Sequence, residues 1–109
     1  MDLTDKPPSV EAVNTAASGV YETVVTITND LGLHARPAAL VAQTAQRFAA
    51  RVSLVVAERR VDAKSILDIL SLAAGKGTTL AIHGQGEDAE ACVTAIADLV
   101  RGRFQEEKA

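Results

Sequence analysis

From Tyr21 onward the apolar positions fall into patterns regular enough to name elements. Glu22 to Thr28 is β-branched almost throughout, which suits the pleated surface of a strand. Asn29-Asp30-Leu31-Gly32 supplies turn chemistry. Pro37 sits just inside the next helix, where its missing N–H costs nothing. Leu40, Val41, Ala45 and Phe48 then recur at helical spacing across Ala38 to Ala50. Arg51–Val56 and Arg59–Val61 read as two strands. Ala57-Glu58 joins them, a connection of hairpin length built from residues that hairpin turns do not favour. Ser65-Ile66-Leu67-Asp68 has the form of a capping box, with Ser65 accepting from the amide three residues on and Asp68 reaching back. The short helix it opens runs to about Leu72–Ala74, and Gly75-Lys76-Gly77 ends it. Thr78–His83 is a fourth strand and Gly84-Gln85-Gly86 a turn. Glu87-Asp88 opens the last helix with charges that suit its dipole. That helix continues through Ala91, Val93, Ile96, Leu99 and Val100 to about Phe104.

The order β-α-β-β-α-β-α predicts an α+β domain of two layers, a four-stranded sheet with helices over one face. Residues 1–20 break the pattern. Pro7-Pro8, Ser9, Asn14, Ser18 and Gly19 point to a flexible N-terminal extension, with at most a helical turn around Val10–Val13. Residues 21–105 form the domain and 106–109 a short tail.

A length of 109 residues supports one domain. Hydrophobic residues make up 48% but aromatics only 3%, so Ala, Val, Leu and Ile must build the core. The net charge is −3, from 14 acidic and 11 basic residues. With no Lys/Arg run and few aromatics, general nucleic-acid binding is disfavoured. Cys92 is the one cysteine, so it forms no internal disulfide and no zinc motif, and its apolar neighbours suggest a buried thiol. No apolar run approaches the roughly 20 residues of a membrane span, and Met1–Val20 lacks a signal peptide's apolar stretch. Cytoplasm is the default. Gly75-Lys76-Gly77 and Gly84-Gln85-Gly86 lack the rest of any nucleotide-binding motif.

Chemistry concentrates in Gly32-Leu33-His34-Ala35-Arg36-Pro37. A histidine there directly precedes a helix whose N-terminus, around Ala35 and Pro37, offers amides and partial positive charge to an anion. Arg36 adds a permanent cation with phosphate-matching donors. A neutral imidazole carries the lone pair needed to attack phosphorus. From local physics alone, a histidine that merely caps the helix beside a solvated arginine is an equally good reading. Leu33, placed on a loop, suggests a contact surface. His83 has no evident partner residue and reads as structural or solvent-exposed.

Thr28-Asn-Asp-Leu-Gly-Leu-His-Ala-Arg-Pro-Ala38 resembles the active-site signature of the HPr family, the histidine-containing phosphocarriers of the bacterial phosphoenolpyruvate-dependent sugar phosphotransferase system. Ala63-Lys-Ser-Ile-Leu-Asp-Ile-Leu-Ser-Leu72 resembles that family's second signature, and the likeness spans Tyr21 to Phe104. The resemblance implies an open-faced β-sandwich with an antiparallel sheet. It implies that His34 accepts a phosphoryl group at Nδ1 from enzyme I, with Arg36 stabilising it, and passes it to IIA components. Such a protein is a monomeric carrier rather than an enzyme, with no cofactor or metal. Two alternatives remain: a carrier in the related nitrogen branch with a regulatory output, and a docking regulator that leaves His34 unused.

Ser65 is a helix cap. In part of the family the matching serine is phosphorylated by HPr kinase/phosphorylase, and a phosphate there would add nearly two negative charges. A helix of two turns cannot bury apolar groups all round. Ile66, Leu67 and Leu70, with Leu33, therefore suggest a small docking patch rimmed by Arg36, Arg47 and Lys64. Asp68 and the 20-residue extension depart from the family's usual pattern.

Overall fold

The computed structural model describes residues 19–105. The expectations for the N-terminal extension up to residue 18, including the turn near Val10–Val13, and for the tail 106–109 lie outside the described residues. The elements follow the expected order: β1 (Val20–Thr26), α1 (Ala35–Gln46), β2 (Arg51–Val56), β3 (Arg59–Asp62), α2 (Ile66–Ser71), β4 (Thr79–Gln85) and α3 (Ala89–Arg101). A 3-10 turn, Arg103–Gln105, follows. The strands form one antiparallel sheet in the order β1-β4-β2-β3. Strand alternation divides its faces. Val25, Val52, Leu54, Leu80 and Ile82 are buried beneath the helices with Val41, Ala45, Val93 and Ile96. Val24, Ser53, Val55, Ala81 and His83 lie on the uncovered face, exposed or half-buried.

Several boundaries move for identifiable reasons. β1 starts at Val20 and ends at Thr26, because its ladder with β4 runs from Val20 opposite Gln85 to Thr26 opposite Thr79. β4 accordingly continues through Gly84, where a turn was expected. Gly84 pairs with both Tyr21 and Val52. Its bare Cα lets α3 approach, since a Cβ there would stand 2.8 Å from a Val93 methyl. α2 stops at Ser71, ahead of the glycines expected to end it: Ala73 takes the left-handed conformation (φ 50°). Gly77 instead donates to the Ile27 carbonyl at 2.7 Å, tying this loop to the end of β1. Ala57 adopts φ 55°, which explains how an untypical pair closes the β2–β3 hairpin. α3 ends at Arg101, short of Phe104. Gly102 and three left-handed residues turn the chain back so that the Phe104 ring is buried. That burial is worth about 1.5–3 kcal/mol and offsets part of the backbone cost. Cys92 is buried in α3, and desolvation pushes its thiol up to about 11.

The end of α1 moves most. The helix stops at Gln46 rather than Ala50. The Asp88 carboxylate accepts from the Ala49 and Ala50 amides at 2.9 and 2.8 Å, so these residues turn toward α3. The Ala49 bond is the main reason that Asp88 titrates below its ordinary 3.8. A depressed carboxylate contributes stability that is complete above its unfolded pKa and is lost as pH falls through the folded value. Asp88→Asn is therefore expected to lower the melting midpoint near neutral pH. The wild-type advantage should shrink once pH drops below 3.8. Thermal melts of both proteins from about pH 7 to about pH 2 check this.

Candidate functional site

The site is built on the segment between β1 and α1. Asn29 is the one buried polar side chain among the described residues, 1% exposed. Its Nδ2 donates to the Gly32 carbonyl at 2.9 Å, and the Gly32 amide donates back to the Asn29 carbonyl at 3.2 Å. Gly32 has φ +66°. A Cβ on it would collide with the Ala74 carbonyl oxygen and stand 2.6 Å from the Gly75 Cα. Only glycine meets both demands. The Leu33 amide then donates to that same Ala74 carbonyl at 2.9 Å. Leu33 is 4% exposed, which removes it from the expected docking surface. Its side chain instead anchors the loop in the core.

The next residue, His34, is the N-cap of α1. Its backbone is extended (φ −79°, ψ −170°), and its side chain makes no cap hydrogen bond. Its carbonyl accepts from the Ala38 amide at 2.9 Å, and the residue is half-buried. Because α1 starts at Ala35, Pro37 is the third helical residue rather than the first. It still lies in the turn whose N–H groups have no intrahelical acceptor. The donors left open at this end are the Ala35 and Arg36 amides. Pro37 supplies none and is fully buried, pinning the turn to the core. No acid occupies the first turn. Arg36 is exposed, and its guanidinium has no hydrogen bond or ion pair among the described residues. An imidazole, two amides at a positive helix end and a guanidinium are thus carried by three successive residues, with no carboxylate in that turn. Such a set suits a phosphate.

The remaining expected residues divide. Leu67 is 78% exposed and Ile66 38%, whereas Leu70 is half-buried against the core. Arg47 is exposed at the end of α1. Lys64 is not a free rim charge: its ammonium donates to the Phe48 carbonyl at 2.8 Å, capping the chain after α1. Ser65 accepts from the Asp68 amide at 3.2 Å. The return arm of the capping box is replaced, because the Ser65 amide donates to the Asp62 carbonyl at 3.1 Å. His83 is half-buried on the uncovered sheet face, in register with Glu22 and Ser53.

Sequence reasoning missed two residues. Leu31, 70% exposed, is a large apolar side chain set among turn formers, and that mismatch was a usable signal. Asn29 was read as a turn former only, and nothing local announces its burial. Among the described residues no group of three or more His, Cys, Asp or Glu could hold a metal ion. No helix among them is long and apolar enough to cross a membrane.

Comparison with known proteins agrees with this geometry. Residues 21–102 match the PTS-HPr family model, described as the PTS HPr component phosphorylation site. The chain is 44% identical over 85 residues to Phosphocarrier protein NPr of Shewanella violacea, covering 78% of this chain and 93% of that one. It is 43% identical over 83 residues to Phosphocarrier protein HPr of Treponema pallidum, covering 76% and 94%. The crystal structure of HPr-C-His from Thermoanaerobacter tengcongensis superposes with a TM-score of 0.76 at 40% identity, covering 79% of this chain and 97% of that one. With its four-stranded antiparallel open sheet and three helices, the chain belongs to the HPr family of phosphocarrier proteins.

Proposed function

We propose that His34 accepts a phosphoryl group from enzyme I, drawn originally from phosphoenolpyruvate, and passes it to IIA components of sugar transport. The observation that carries this reading is the placement of His34 as the N-cap of α1, followed directly by the Ala35 and Arg36 amides and by an Arg36 guanidinium with no hydrogen bond or ion pair among the described residues. A ring nitrogen, Nδ1 by the family resemblance, forms the new bond to phosphorus. The bond to the donor breaks, and its electron pair stays with the donor. The amides and Arg36 take up charge on the phosphoryl oxygens, both while they transfer and once they rest on the ring. The reverse of the same step delivers the group to the next protein. The carrier is used and regenerated in a relay, and it works in the cytoplasm as a monomer.

The exposed Leu67 and Ile66, joined by Leu31 and rimmed by Arg36 and Arg47, form the surface that enzyme I and IIA components share in turn. A small mixed patch suits partners that must leave quickly. Ser65 is the regulatory site if the host has an HPr kinase/phosphorylase. A phosphate there would join the start of α2 without occupying the core and would repel an acidic partner. A second reading is supported by the 44% identity to a protein named NPr: the same His34 chemistry, fed by a nitrogen-branch enzyme I, with a regulatory output.

The test is transfer from phosphoenolpyruvate through purified enzyme I of each branch. Faster phosphorylation by one type assigns the branch, and no phosphate from either refutes the relay. In the same assay Arg36→Ala is expected to slow transfer about 10- to 100-fold with an unchanged melting midpoint. An unchanged rate would remove Arg36 from the mechanism.

A further inference from the structure

We infer that Asn29 is a positioning residue for phosphoryl transfer, holding the turn that presents His34. The inference rests on the reading of His34 as acceptor. Three ties on this turn are backbone or glycine geometry: Gly32 amide to Asn29 carbonyl, Leu33 amide to Ala74 carbonyl, and Gly32 wedged against Ala74 and Gly75. Two more come from side chains: at the exposed surface the Lys76 ammonium donates to the Asp30 carboxylate at 3.1 Å, and in the interior the Asn29 side-chain amide donates to the Gly32 carbonyl at 2.9 Å. The Asn29 side chain is buried, so water does not stand in readily for the lost donor. The Gly32 carbonyl and the Leu33 N–H share one rigid peptide plane, so without the Asn29 bond that plane is held at one edge only, by the Leu33 bond to Ala74, and can swing about that bond. His34 begins two residues later as the N-cap of α1, so the course of this loop fixes where its backbone enters the helix. The loop therefore sets where the imidazole meets phosphorus, and a displacement of about 1 Å can cost about 100-fold in rate. The role assigned to Asn29 is to hold the loop, not to bind the phosphoryl group. It acts through Gly32 and Leu33.

The experiment compares Asn29→Leu, which keeps bulk without a donor, and Asn29→Ser, which keeps a shorter donor. Transfer from phosphorylated enzyme I is measured against carrier concentration and expressed per folded molecule. Hydrogen exchange at the Gly32 and Leu33 amides is measured alongside. The saturating rate is expected to fall about 10- to 100-fold in Asn29→Leu. Asn29→Ser should recover part of it, and exchange should quicken at both amides. If Asn29→Leu does not fold, Asn29→Ser decides the matter alone. Losses that only track the unfolded fraction, or wild-type saturating rates in the folded variants, overturn the inference. A wild-type protein that takes no phosphate on His34 instead overturns the parent reading, and the positioning role of Asn29 with it.

Discussion

His34→Gln is expected to take up no phosphoryl group from enzyme I under any condition in which the wild type is fully labelled. The substitution removes the nucleophile, and the amides and guanidinium that remain have nothing to hold. The fold should survive. The His34 side chain makes no cap hydrogen bond to α1, while its backbone carbonyl, which accepts from Ala38, is retained. The docking side chains Leu31, Leu67 and Ile66 also remain. The variant should therefore inhibit phosphorylation of the wild type by competing for enzyme I. Labelling of the variant would place the acceptor elsewhere, and labelled wild type in the presence of excess variant, with no slowing, would remove the proposed docking surface.

Gly32→Ala is expected to do the most damage of any single methyl group added near the site. The left-handed φ of +66° alone costs an L side chain about 1–2 kcal/mol. The new Cβ would also meet the Ala74 carbonyl and the Gly75 Cα, both backbone, so relief requires moving the loop after α2. A destabilisation of about 2 kcal/mol or more follows, or a midpoint lower by roughly 10 °C in a domain of this size. Transfer should fall as well, because the Leu33 tie to Ala74 is strained with it. Gly77→Ala provides the contrast: its φ is also positive, at +90°, but nothing lies within 4 Å of the added carbon. It should be milder in stability and near wild type in transfer. Thermal melts and initial rates on the two variants separate local strain from damage to the site.

Much of this was legible in the sequence because local rules and tertiary structure agree. The β-branched run after Tyr21, the helical spacing of Leu40, Val41 and Ala45, and the Ser65 cap each specify their element without help from distant residues. The placement of His34, Arg36 and Pro37 at one helix end was legible for the same reason, whereas the role expected of them came from the family resemblance. What could not be read depends on partners far along the chain. α1 ends early because Asp88, 38 and 39 residues away, captures two amides. Gly84 stays in a strand because α3 packs on it. Lys64 left the expected docking rim because the Phe48 carbonyl claims its ammonium. Leu33, expected on the docking surface, is buried, and Leu31, read only as part of the turn, is exposed; the Leu33 amide is fixed by the Ala74 carbonyl, a partner 41 residues away that hydropathy does not reveal. The half-formed capping box is different, because its cause is local: the Asp62 carbonyl, at the end of β3, takes the Ser65 amide.

The most direct measurement is nitrogen and phosphorus NMR on histidine-labelled protein incubated with phosphoenolpyruvate and enzyme I. One phosphoryl group should appear on a ring nitrogen of His34, with the His83 resonances unmoved and the phosphate lost in acid. An unmodified His34, or phosphate found on His83 or Ser65 instead, would contradict the relay.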